Sequence, residues 1–117
     1  MGTPRSSDAW RVVALVFSGR EDPCWDAPRE LIDAVLAGWD RAAPASAAAP
    51  PPPLGYRGCV LRAPDGRAYT AFASTITLTL PGARAQTRGD PDRTIERLLL
   101  GSAPPGAIPP GVVPNLR

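Results

Sequence analysis

The residues from Ala9 to Phe17 (AWRVVALVF) are nearly continuous in apolar, β-branched and aromatic character, which predicts a central, buried strand. Ser18 to Trp25 (SGREDPCW) interrupts that run with Gly and Pro and reads as a loop. The period then changes. Leu31, Ile32, Val35, Leu36 and Trp39 recur at helical spacing, with Arg29, Asp33, Asp40 and Arg41 mostly off the stripe. Asp26 is the expected N-cap, with Ala27 and Pro28 in the first turn and Glu30 near the positive end of the helix dipole. The stripe ends at Ala42. Ala43 to Pro53 is Ala/Pro-rich and predicts an extended, mobile linker.

The second half reads as strands followed by a helix. Leu54 to Gly58 leads into a short strand, Cys59 to Arg62. Ala63 to Gly66 (APDG) is a turn signal, and Arg67 to Ala73 is the returning strand. Ser74 to Leu80 alternates Thr with Ile or Leu, the half-buried pattern; the pattern leaves open whether residues 67–80 make one bent strand or two. Pro81 to Gly89 reads as loop. Asp90 and Pro91 open a second helix, Ile95, Leu98 and Leu99 form its expected buried stripe, and Gly101 its C-cap. The prediction is therefore an α+β domain over residues 9–101. One small, mostly antiparallel sheet of three to four strands packs against two helices in the order β-α-β-β-(β)-α, and a Pro-rich tail covers residues 102–117.

Composition narrows the function classes. The 117 residues contain no histidine, and all 13 basic residues are arginine. Lack of histidine removes the usual general base, the common zinc sets and the Ser-His or Cys-His pairings. The net charge of +2 comes without any block of like charge, so neither nucleic acid nor an anionic membrane is expected as a partner. The apolar run Val12 to Phe17 is too short for a signal-peptide core or a membrane span, and the expected location is cytoplasmic. Two cysteines, Cys24 and Cys59, are no disulfide framework and are expected as free thiols. No cofactor or metal is expected.

Three segments carry a resemblance: Phe17-Ser18-Gly19-Arg20 followed by Pro23 and Trp25, Leu54-Gly55-Tyr56-Arg57-Gly58, and Asp92-Arg93 with Glu96 and Leu98 to Leu100. Together they resemble a group of short bacterial proteins with FSGRxxPxW and LGYRG motifs. In that group the first motif usually reads FSGRPNPxW; here Glu21 and Asp22 stand in place of Pro and Asn. The resemblance implies one folded unit with two marked loops and carries no activity.

The candidate site follows from those loops. If they converge at one end of the sheet, Arg20, Trp25, Tyr56 and Arg57 form a single binding patch. Arg20 in a glycine-containing strand-to-helix turn could hold an anion. However, Glu21, Asp22 and Asp26 surround it, and pairing with one of these carboxylates is the favoured reading. The glycines around Tyr56 and Arg57 more often mark a bulge or turn entering a strand. Cys24 has no histidine to activate it as a nucleophile, and Cys59 reads as a small core residue. Ser74 to Leu80 would accept a peptide strand if it lay at a sheet edge. No catalytic residue is assigned. The expectation is a non-catalytic accessory or protein/peptide-interaction module; the alternative is a small anion-binding protein or enzyme using the Arg20/Arg57 patch.

Overall fold

The computed structural model describes residues 9–17, 21–45, 55–109 and 111. It is an α+β fold with one antiparallel sheet of six strands in the order β2-β1-β3-β4-β5-β6. The strands are β1 (Arg11–Ala14), β2 (Cys24–Asp26), β3 (Cys59–Arg62), β4 (Ala68–Phe72), β5 (Thr75–Thr79) and β6 (Gln86–Gly89). Helix α1 (Arg29–Arg41) follows β2, and α2 (Thr94–Gly101) follows β6. The sheet is wider than the expected three to four strands because two edge strands, β2 and β6, lie in segments that read as loops.

The core forms from period-2 alternation on one sheet face. Val12, Ala14, Trp25, Cys59, Leu61, Tyr69, Ala71, Ile76 and Leu78 join Leu31, Val35 and Trp39 of α1 and Ile95 and Leu99 of α2 in one buried cluster. Both helices therefore cover the same face. The α1 stripe is as expected, with Ile32 and Leu36 packed at its margin. Trp39, in the predicted stripe, and Trp25, a candidate for the binding patch, are each 6 % exposed.

Local hydrogen bonding sets where elements begin and end. The ladder of β1 stops short of Phe17 because the Val16 and Phe17 amides donate to Asp22 Oδ1, at 2.9 and 2.7 Å. Asp26 does not cap α1. It is the last residue of β2 and pairs with Arg11 at 3.2 Å, while the Pro28 carbonyl accepts the first helical amides from Leu31 and Ile32. Residues 67–80 are two strands, because Ala73 and Ser74 both take positive φ (52° and 66°) and reverse the chain tightly between Phe72 and Thr75. Gly58 enters β3 at φ +115°, where an added Cβ would lie 2.8 Å from the Ala71 carbonyl. That explains the glycine as backbone geometry.

Strand β5 is not an edge; it is hydrogen-bonded to β4 on one side and β6 on the other. Strand β6 is in turn flanked by the start of the Ala/Pro-rich segment. Pro44 bridges to Arg88, the Ala45 amide donates to the Thr87 carbonyl, and the Gly89 amide donates to the Ala43 carbonyl. Residues 43–45 are thus bonded to the sheet rather than free, and residues 46–53 lie outside the described residues. Past α2, Ala103, Ala107 and Ile108 of the Pro-rich segment pack against the core.

The second helix departs from its predicted stripe. Ile95 and Leu99 are buried, but Leu98 is 41 % exposed, and Glu96 is fully buried in its place. Asp90 does cap the helix, across a 3-10 turn at Pro91–Arg93. Its two carboxylate oxygens accept from the Ile95 and Glu96 amides at 2.9 and 3.1 Å. Gly101 is the last helical residue and not the cap. The cap is Ser102, whose Oγ donates to the Leu99 carbonyl.

Candidate functional site

Arg57 of the second marked loop contacts Phe17 and Asp22 of the first, and the candidate side chains among the described residues are engaged by the fold itself. Trp25 is carried by β2, and its Nε1 donates to Ser102 Oγ at 2.9 Å, which ties the sheet edge to the end of α2. Tyr56 is buried and its hydroxyl donates to Glu96 Oε2. Arg57 donates from Nη2 to the Phe17 carbonyl at 2.5 Å and lies 3.6 Å from Asp22 Oδ2. Arg20 lies outside the described residues. Of the four candidates, then, three have their polar groups engaged by the protein itself.

Behind Tyr56 is a polar cluster that the sequence did not announce. Arg93 reaches both oxygens of buried Glu96, with Nε to Oε1 at 3.0 Å and Nη2 to Oε2 at 3.3 Å. Arg93 itself sits at φ +55°. Cys59 is buried in the same neighbourhood. No buried side-chain nitrogen or oxygen among the described residues lacks a hydrogen-bond partner. The one available signal was the Asp92-Arg93-x-x-Glu96 spacing, which also fits an exposed helical ion pair.

The cluster shapes the alkaline limb of stability. Burial, reinforced by the nearby Glu96 charge, pushes the Cys59 thiol from 9.0 up to about 12. Burial and the hydrogen bond to Glu96 hold the Tyr56 phenol above its ordinary range. Both groups are neutral when protonated, and folding favours that form. Their contribution is therefore complete below the unfolded-state values and is lost as pH rises toward the folded-state ones. The expected result is a fall in thermal midpoint between pH 9.0 and about 12. Replacing Cys59 with Ala should make that fall shallower relative to the same variant at neutral pH. A slope identical to wild type by calorimetry would show that Cys59 does not titrate in this window.

Across the sheet from the helices the surface is built differently. One cross-strand row runs Cys24, Val13, Val60, Thr70, Thr77, Thr87, each pair in direct register. A second row runs Asp26, Arg11, Arg62, Ala68, Thr79. Val60 is buried at 3 % yet does not belong to the helix-side core cluster. Thr77 and Thr87 join their hydroxyls at 3.1 Å. Cys24 is exposed on this face and Cys59 is buried on the other, and both are free thiols.

Among the described residues, no group of three or more His, Cys, Asp or Glu side chains could hold a metal ion. No helix among them is long and apolar enough to cross a membrane. No protein-family model, curated protein or solved structure matches the chain.

Proposed function

We propose that this protein is a non-catalytic interaction module whose working surface is the helix-free face of the sheet. The observation that supports this most directly is the one-sided packing. Both helices cover one face, while the other carries a row of β-branched side chains in which Val13, Thr70, Thr77 and Thr87 are partly exposed and Val60 between them is buried. Such a row offers flat, low-entropy contact area to another chain. Three of the carboxylates that acid–base work could draw on are engaged elsewhere. Asp22 and Asp90 accept backbone amides, and Glu96 is locked between Arg93 and Tyr56.

The occupant is an acidic, β-branched polypeptide segment. Charge complementarity argues for it: the second row of the face carries Arg11 and Arg62 against the single carboxylate of Asp26. Edge pairing is a weaker route, because β2 is only three residues long with Pro23 and Pro28 close on either side. The alternative anion reading centred on Arg20 and Arg57 has Arg57 already bonded to Phe17 and Asp22.

The test is selection of linear peptides from a displayed random library, followed by NMR mapping of a selected peptide. Enrichment of Asp or Glu beside Val, Ile or Thr is expected, with amide shifts centred on Val13, Val60, Thr70 and Thr77. Thr70→Arg should weaken that peptide at least about tenfold while the fold persists. Peptides that map to α1 or α2, or that are enriched in basic residues, would overturn the reading.

A further inference from the structure

Arg11 and Arg62 are direct register partners in β1 and β3, and like charges placed opposite each other in a sheet repel. Part of that repulsion is offset. Arg11 donates from Nη1 to Asp26 Oδ1 at 3.2 Å and from Nη2 to Cys24 Sγ at 3.1 Å. Arg62 is exposed and has no hydrogen bond or ion pair among the described residues. Both arginines line one cavity of about 370 Å³, together with Val13, Cys24, Ala63 and Pro64. Among the described residues, no carboxylate lines it. A guanidinium presents paired N–H groups in a plane that matches two oxygens of one oxyanion. An anion between the two would remove their mutual repulsion and supply the partner that Arg62 lacks.

We propose that this cavity is an oxyanion site, taking a carboxylate or phosphate group between the guanidinium groups of Arg11 and Arg62. The inference rests on the helix-free face as the working surface and names the group its cationic end receives. A small anion needs only the cavity, however, so the two readings fail separately. The cavity also contains its own reporter, because Cys24 lines it and is exposed, while Cys59 is buried.

The experiment follows the arginine Nε–Hε resonances by NMR as inorganic phosphate, and separately acetate, is added at ionic strength held constant with chloride. Saturable shifts of Arg11 and Arg62 are expected with either oxyanion. Arg62→Gln should weaken binding about tenfold, the value of one charge-assisted contact, with a thermal midpoint no lower than that of the wild type, because Arg62 is exposed and its charge opposes that of Arg11. A second readout compares the rate of Cys24 modification by a dianionic aromatic disulfide with that by an uncharged disulfide reagent. The anionic reagent should be favoured in the wild type. Arg62→Gln should lower that rate ratio about tenfold, and phosphate should slow the anionic reagent alone. Equal shifts with chloride would mean general screening and overturn the site. So would undiminished phosphate binding, or an unchanged rate ratio, in Arg62→Gln. Oxyanion binding without peptide binding would keep this site and discard the docking surface.

Discussion

Trp39→Ala should lower the free energy of unfolding by about 3 to 5 kcal/mol. The indole is 6 % exposed and connects three elements. It stands edge-on to Tyr69 of β4, with ring centroids 5.8 Å apart, and lies under the Arg88 guanidinium of β6 at 4.2 Å. Arg88 also donates to the Trp39 carbonyl at 2.6 Å. Truncation removes the ring and both ring contacts but leaves that backbone bond, so α1 remains anchored over a cavity. A domain of this size has about 5 to 15 kcal/mol in total, and the variant should sit near the limit of folding. Urea unfolding followed by the fluorescence of the remaining Trp10 and Trp25 measures it. Trp39→Phe, which keeps an aromatic edge for Tyr69, should recover more than half of the loss. A Trp39→Ala cost below about 1 kcal/mol would mean that the helix is held by other contacts.

The elements that sequence alone made legible are those whose pattern is local. The α1 stripe, the Ala63–Gly66 turn, and the alternation in β4 and β5 depend on residues within one element, so side-chain periodicity reports them directly. The β2 and β6 strands are different. Cys24–Asp26 has one inward residue, Trp25, in a segment punctuated by proline, and its pairing with β1 is set by contacts across the sheet. Gln86–Gly89 has no apolar residue at all. It is a strand because β5 supplies the ladder and because the aliphatic stem and guanidinium of Arg88 cover Trp39. Short polar edge strands leave little local signature, since their stability comes from a neighbour.

The candidate site was less legible for a related reason. Trp25, Tyr56 and Arg57 stand out in the sequence as a candidate patch, but a sequence does not say what a polar tip will find. Each found an internal partner: Ser102, Glu96, and Phe17 with Asp22. Those partners lie 77, 40 and 40 residues away in the chain for the three hydrogen bonds. Conversely, Arg11 and Arg62 drew no notice because each is an ordinary charged residue in a strand pattern. Only the register of β1 against β3 brings them together.

Glu96→Ala should be the second most damaging single substitution, at about 3 kcal/mol. Hydrophobic periodicity would place Leu98 in the core and Glu96 on the surface, yet the helix is turned the other way. Three groups fix that phase: the Asp90 carboxylate on the Ile95 and Glu96 amides, the Arg93 fork on Glu96, and the Tyr56 hydroxyl on the same carboxylate. Removing Glu96 leaves the Tyr56 hydroxyl buried without its acceptor and Arg93 without its counter-ion. The cost is held below that of a fully enclosed pair because the Arg93 side chain is 30 % exposed and keeps some solvation. Leu98→Gln, by contrast, should change stability by less than about 0.5 kcal/mol, as for other surface positions. Tyr56→Phe should cost about 1.5 to 3 kcal/mol in the wild type and much less in the Glu96→Gln background, since the hydroxyl then loses a neutral rather than a charged acceptor. Chemical unfolding of the wild type, Tyr56→Phe, Glu96→Gln and the double variant gives the coupling directly. If Leu98→Gln proved more costly than Glu96→Ala, α2 would be rotated from the phase described, and the buried cluster of Tyr56, Arg93 and Glu96 would have to be rebuilt.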